Sequence, residues 1–257
     1  MSKTASKKSG DILYCGDGDL TTAARFPAAI MTYYGLSFDH VPSNVEVTED
    51  QFDGRKLVVL SDFPARLMDD RTQKALGKEI YGGVGLAVFG GWNSGSYGGW
   101  KDSLIGDLLP VEMLEGDDRL NSSQKAVVLK PEGKEHPIYE GIDWKRPPCV
   151  GGFNKFTAKP GSEVLLNVVD TITTYEKGNL SIKEYGPRYP FLVLSSYGKG
   201  NIGVVATDIS PHWGGVDYEQ RLSEGRLKIT AEGAREAELG FGHAQFFGNV
   251  LKWTGRY

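Results

Sequence analysis

Three short apolar runs that do not alternate constrain this chain more than any other feature: DILYC at Asp11–Cys15, KLVVLS at Lys56–Ser61 and GLAVF at Gly85–Phe89. A strand with one face in water alternates apolar and polar residues, so a continuous apolar strand must be covered on both faces. Helical stretches follow these runs. One is expected from Thr21 or Thr22 to Tyr34, stopped by Gly35, with Pro27 tolerable only near its start. A second spans Asp69–Tyr81 and stops at Gly82-Gly83. Phe38–Val41 supplies a further strand. Strands and helices in this order predict an α/β fold with a mostly parallel, doubly wound sheet.

The second half reads differently. Lys125–Lys130, Glu163–Val169, Leu180–Lys183, Phe191–Ser196 and Ile202–Thr207 are strand-like, with hairpin corners at Gly178-Asn179 and Lys199-Gly200-Asn201. They extend the parallel sheet by an antiparallel portion. A loop-rich passage, Ile209 to Ala231, precedes a last helix expected from about Ala234 to Trp253. Residues 1–10, rich in Lys and Ser, read as a disordered tail without a signal-peptide core, and 11–257 as one domain without linker or repeat.

The 29 basic and 33 acidic residues are well mixed, which argues against a nucleic-acid partner. The longest apolar runs are too short to span a bilayer. Two cysteines, Cys15 and Cys149, exclude a disulfide framework, and a cytoplasmic location with reduced thiols is expected. Four scattered histidines lack ligand spacing, so no metal site and no cofactor are expected.

Ligands of such sheets sit beyond the carboxyl ends of the strands, near the point where strand order reverses. The loop after the GLAVF strand stands out: Phe89–Trp100 holds Gly90, Gly91, Gly95, Gly98 and Gly99 together with Trp92, Tyr97 and Trp100. Glycines let backbone N–H groups approach a ligand, and aromatic faces suit a sugar or ring. The same residues could equally form a tight loop whose tryptophans cover the sheet end. Asp17, in the turn after the first strand, and Asp62, after the third, are either cleft carboxylates or turn formers. His212, beside Trp213 and close to Asp208, could be a general base or a ligand contact, or could bond a backbone carbonyl. Cys15 closes the first strand, either as a nucleophile or as a small buried hydrophobe.

The segments GGVGLAVFGGWNSGSYGGW, LLPVEM, HPIYEGIDW, VGGFNK and GKGNIGVVATDISPHWGG together resemble the putative glutamine amidotransferase family. That family belongs to the class I glutamine amidotransferase-like superfamily, whose relatives include the trehalose-utilisation proteins. The resemblance implies a flavodoxin-like three-layer α/β/α core. It does not carry an activity across. Active class I enzymes place a cysteine on a strained turn after a strand, and here Phe89 or Gly90 occupies that position. The expected His-x-Glu pair is replaced by Thr207–Trp213, with a different order and spacing.

Two functional readings follow. In one, the chain binds a small polar, carbohydrate-like molecule through Asp17, Asp62, Gly90, Gly91, Trp92, Asn93, Trp100, His212 and Trp213, or serves as an assembly module. In the other, it is a hydrolase or transferase using His212 with Asp208, or Cys15. The aromatic loop and the Phe-rich last helix also suggest a homo-oligomer.

Overall fold

The computed structural model describes residues 10–145, 147–214 and 226–257, leaving aside the side chains of 122–125, 173, 175, 180, 182, 211 and 212. The N-terminal segment read as a tail lies outside the described residues, as does 215–225 of the loop-rich passage.

Nine strands form one sheet. The first four in sequence, β1 (Ile12–Gly16), β2 (Phe38–Val41), β3 (Leu57–Ser61) and β4 (Gly85–Phe89), are parallel and lie in the order β2-β1-β3-β4. β1, β3 and β4 are buried along their whole length, which is why their sequences do not alternate. The connection from β1 to β2 runs one way along the sheet and that from β3 to β4 the other. Right-handed crossovers therefore place α1 (Arg25–Tyr33) and α2 (Asp70–Gly82) on opposite faces.

α1 begins later than the sequence suggested, so Pro27 falls in its first turn, where its missing N–H breaks no helical bond. α2 is capped by Asp69, whose side chain accepts from the Thr72 N–H at 2.8 Å, and ends at Gly83 with φ 127°. It buries Thr72, Gln73, Leu76 and Ile80, one helical face.

β11 (Gly200–Val205) lies parallel beside β4, then the antiparallel strands follow in the order β10-β9-β6-β7. These are β6 (Arg119–Leu129), β7 (Cys149–Asn154), β9 (Glu163–Glu176) and β10 (Asn179–Tyr197). The expected strands at 180–183 and 191–196 are one continuous β10, bent where its register with β9 shifts between Tyr185 and Tyr189. Lys177 and Gly178, both with positive φ, close the β9–β10 hairpin.

Two small pairs complete the β structure: β5 (Val111–Met113) with β8 (Phe156–Ala158), and β12 (Arg226–Ile229) with β13 (Ala237–Gly240). The remaining α-helices among the described residues are α3 (Leu104–Leu108), the four-residue α4 (Pro211–Gly214) and α5 (Phe241–Gly255). α5 starts after β13 rather than at Ala234, because Ala237–Gly240 is drawn into the pair with β12. It packs on β3, β4 and β11 beside α1, burying Phe246, Phe247, Val250 and Leu251. The result is the three-layer α/β/α arrangement with its antiparallel extension. Among the described residues no helix is long and apolar enough to cross a membrane.

Candidate functional site

The order β2-β1-β3-β4 reverses between β1 and β3, so the switch point lies where Asp17 and Asp62 leave the sheet. At Gly16, φ is 130° and a Cβ would collide with the Ser61 carbonyl oxygen, so only glycine lets the two strand ends approach this closely. Asp17 and Asp62 follow with φ of 56° and 45°, left-handed conformations rare outside glycine and tolerated best by Asn and Asp. The Asp17 N–H donates to the Ser61 carbonyl at 3.1 Å, and the Tyr14 hydroxyl donates to Asp17 Oδ2 at 2.7 Å. Burial pushes the Asp17 carboxyl up to about 7, against the pull of the Tyr14 hydroxyl.

Asp62 is less deeply placed and accepts from both the backbone N–H and the side-chain amide of Asn93. Burial raises its pKa, opposed by those bonds and by the Arg119 charge. Asp208, three residues past the end of β11, is 4% exposed. Its Oδ1 has no hydrogen-bond partner among the described residues. Burial, then the charges of Asp17 and Asp62, hold its carboxyl well above the usual carboxylate range. Three carboxyls from three strand ends are thus within electrostatic reach of one another.

The glycine-rich loop after β4 is held from beneath. The Gly91 N–H donates to Asn154 Oδ1 at 2.9 Å, and Asn154 Nδ2 reaches Asp118 Oδ1 at 3.2 Å. Asp118 is fully buried and also accepts from the Ser96 N–H at 3.1 Å. A Cβ at Gly90 would run into Asn154 Oδ1 and stand 2.5 Å from the Ala206 carbonyl oxygen. One at Gly91, where φ is 140°, would stand 2.8 Å from Asp62 Oδ1. On the rim, the Arg119 guanidinium lies 4.5 Å from the Trp92 ring centre and 3.7 Å from that of Tyr97. Its Nε and a terminal nitrogen both donate to Asp117 at 2.8 Å. Trp92 is 42% and Tyr97 58% exposed, so this stack faces solvent. An open groove of about 720 Å³ runs from Asn93 and Tyr97 past Ala65 to Gln73 and Ser103.

Asp17, Asp62, Asp208, Gly90, Gly91, Trp92 and Asn93 therefore lie at one sheet end. Three other residues do not offer a surface to it. Trp100 is 1% exposed and its indole N–H donates to the Phe63 carbonyl at 2.7 Å, closing the sheet end from within. Trp213 is fully buried, its indole bonded to Asn121 Oδ1 at 2.8 Å, in space that Gly152 leaves by having no Cβ. Cys15 is fully buried in β1, and burial pushes its thiol far up, which keeps it protonated and unreactive. His212 is the second residue of the short α4, and its side chain lies outside the described residues.

The other histidines are placed by packing. His40 meets the Gly16 carbonyl at 2.9 Å, and His136 accepts from the Ile138 N–H at 3.2 Å. His243 is buried against Phe247, with Nε2 3.3 Å from the Ile209 carbonyl. Cys149 is also buried, its thiol 3.5 Å from the Pro147 carbonyl. Asn154 and Asp118 carry the loop but were missed by sequence reasoning. The one signal for Asn154 is its position in VGGFNK, where two glycines open β7 to its neighbours.

A family model described as putative glutamine amidotransferase matches residues 67–231. No curated protein matches the sequence significantly. Among solved structures, a cytoplasmic protein from Salmonella typhimurium LT2 superposes with a TM-score of 0.70 at 21% identity, covering 95% of this chain and 98% of its own. A second cytoplasmic protein from Salmonella typhimurium gives 0.69 at 17% identity, with the same coverage of each chain, 95% and 98%. A ThuA-like protein from Bacteroides uniformis gives 0.50 at 12% identity, covering 98% of this chain and 95% of its own. At these identities the likeness is one of fold.

Proposed function

The chain belongs to the putative glutamine amidotransferase family, and from that premise we propose that it binds a small polar ligand at the β1/β3 switch point and lacks the glutamine-hydrolysing triad of the wider superfamily. The observation that carries this reading is the Asn154 amide beneath the turn after β4. In a hydrolytic elbow the nucleophile leaves the sheet at this turn, and the next backbone N–H serves the oxyanion. Here the space beside Gly90 holds Asn154 Oδ1, and the Gly91 N–H is already donated to that same oxygen. The protonated, buried Cys15 supplies no replacement thiol.

What the cleft offers instead is recognition. Asp62 and Asn93 present hydrogen-bonding groups at its mouth, Trp92 gives a flat apolar face beside them, and Asp17 and Asp208 lie deeper. Aromatic faces next to carboxylate and amide groups suit a compact hydroxylated molecule. A second reading, a hydrolase or transferase at the same cleft, draws support from Asp208: a buried carboxyl held in its acid form could donate a proton.

A thermal-shift screen against glutamine, amino acids, sugars and sugar phosphates tests the first reading, together with an assay for ammonia released from glutamine. A ligand at about a hundred times its Kd stabilises the fold by about 2.7 kcal/mol, or roughly 5–10 °C for a domain of this size. The expected result is a shift with a polar ligand, lost in Asp62→Asn, and no ammonia. Glutamine turnover by the wild-type protein would sink the reading, and turnover of a bound ligand would favour the second.

A further inference from the structure

The charge arrangement of this cleft narrows the class of ligand, an inference that rests on the binding reading above. Three carboxyls, Asp17, Asp62 and Asp208, meet at the switch point from the ends of β1, β3 and the β11 region. The charges of Asp17 and Asp62 raise the proton affinity of Asp208, and that of Asp62 raises that of Asp17, so the three repel when ionised. Arg119, whose charge reaches Asp62, is already matched: two of its nitrogens are on Asp117, and its planar group lies against Trp92 and Tyr97. Asp208 is almost wholly buried, and although Ser210 bonds its carboxyl, Oδ1 finds no partner among the described residues. A buried carboxyl oxygen without a hydrogen-bond partner destabilises the empty site and rewards a ligand whose positive charge bonds it and keeps the carboxyl ionised.

The neighbouring groove carries the same sign of charge. Its lining includes Asp69, Asp70 and Asp102 against a single Arg66. Among the described residues, no three His, Cys, Asp or Glu side chains stand in an arrangement that could hold a metal ion. A cation that brings its own N–H donors suits such carboxyls better than one that needs a shell of converging oxygens. An ammonium group offers three such donors and a full positive charge. The exposed Trp92 and Tyr97 faces at the rim can take the body of such a molecule, and aromatic faces themselves attract cations.

We propose that the ligand of this cleft is a small molecule bearing a protonated primary amine, the ammonium seated between Asp62 and Asp208 with Asp17 behind, and the rest lying over Trp92 toward the Asn93–Tyr97 groove.

The test uses matched pairs on the full chain by titration calorimetry: glucosamine against N-acetylglucosamine, and putrescine against 1,4-butanediol. Charge-assisted hydrogen bonds to a desolvated carboxyl predict that the amine member of at least one pair binds at least about tenfold more tightly. Asp208→Asn keeps the side-chain shape and should weaken that binding by about tenfold or more. Asp62→Asn, at the more accessible edge, serves as the second variant if Asp208→Asn does not fold. Equal or better binding by the neutral members would overturn the amine assignment while leaving the switch-point reading intact. Amine binding unchanged in both variants would overturn the placement. No binding by any of the four, with no hit in the wider thermal-shift screen, would overturn both.

Discussion

Gly90→Cys is the substitution that would restore a thiol to the elbow, and the structure predicts that it fails on packing before chemistry can be asked. The new Cβ would overlap Asn154 Oδ1 and stand 2.5 Å from the Ala206 carbonyl oxygen, neither of which is the free end of a long side chain. Overpacking of this kind costs about 1–3 kcal/mol. Displacing the Asn154 amide also breaks its bond from the Gly91 N–H, adding about 1 kcal/mol. The expected loss of about 2–4 kcal/mol corresponds to a fall in Tm of roughly 5–15 °C for a domain of this size. Urea melts would measure the loss, and an ammonia assay with glutamine should read zero. Because the obstacle is specific, Gly90→Cys with Asn154→Ala should be less destabilised than the sum of the single variants, by about 1 kcal/mol or more. A Gly90→Cys protein that melts with the wild type and releases ammonia would refute the reasoning.

Further outcomes follow from the buried groups. Burial holds His243 down at about 4, so between pH 6.5 and 4 the unfolded chain takes a proton that the folded chain refuses, and stability falls with pH by up to about 3 kcal/mol. His243→Gln should flatten that limb in pH-dependent urea melts. Asp17 has the opposite sign. Its raised value of about 7 means that the fold binds the proton more tightly than the unfolded chain, so its contribution is present below about pH 4 and lost as pH rises to 7. Asp17→Asn should therefore gain on the wild type across that range, by up to about 4 kcal/mol, and stay level above it. Trp100→Phe leaves the Phe63 carbonyl without its indole donor and should cost about 1–3 kcal/mol by thermal melt, with ligand affinity unchanged because the ring does not face the cleft.

The parallel half of the sheet was legible because the burial of β1, β3 and β4 on both faces leaves a direct trace, a run of apolar residues without alternation. The switch-point aspartates were legible for a related reason, since strand ends can be found from strands. What escaped were features that depend on distant pairing. β13 looks helical from its own residues, and only β12 across from it makes Ala237–Gly240 a strand. Trp100 and Trp213 look like ligand platforms in a glycine-rich context, yet both are buried, Trp213 in space that Gly152 leaves. The glycines before Asn154 mark an open stretch of β7, but they do not say that its amide will reach back to Gly91, 63 residues earlier. A side chain that acts across the sheet is set by topology, and topology is what one sequence states least directly.

The place of β11 has a consequence for how the chain is made. It joins the two halves of the sheet, pairing Ile202 with Leu86 on one side and Val193 with Val204 on the other. A ribosome that has delivered everything up to β10 has therefore released a parallel half whose β4 edge, apolar on both faces, still has no neighbour. Such an edge is a template for another nascent chain, and the long sequence separation makes its closure slow. The step most exposed to aggregation is then a wait for six residues, Gly200–Val205, that close the gap only when the last quarter of the chain emerges.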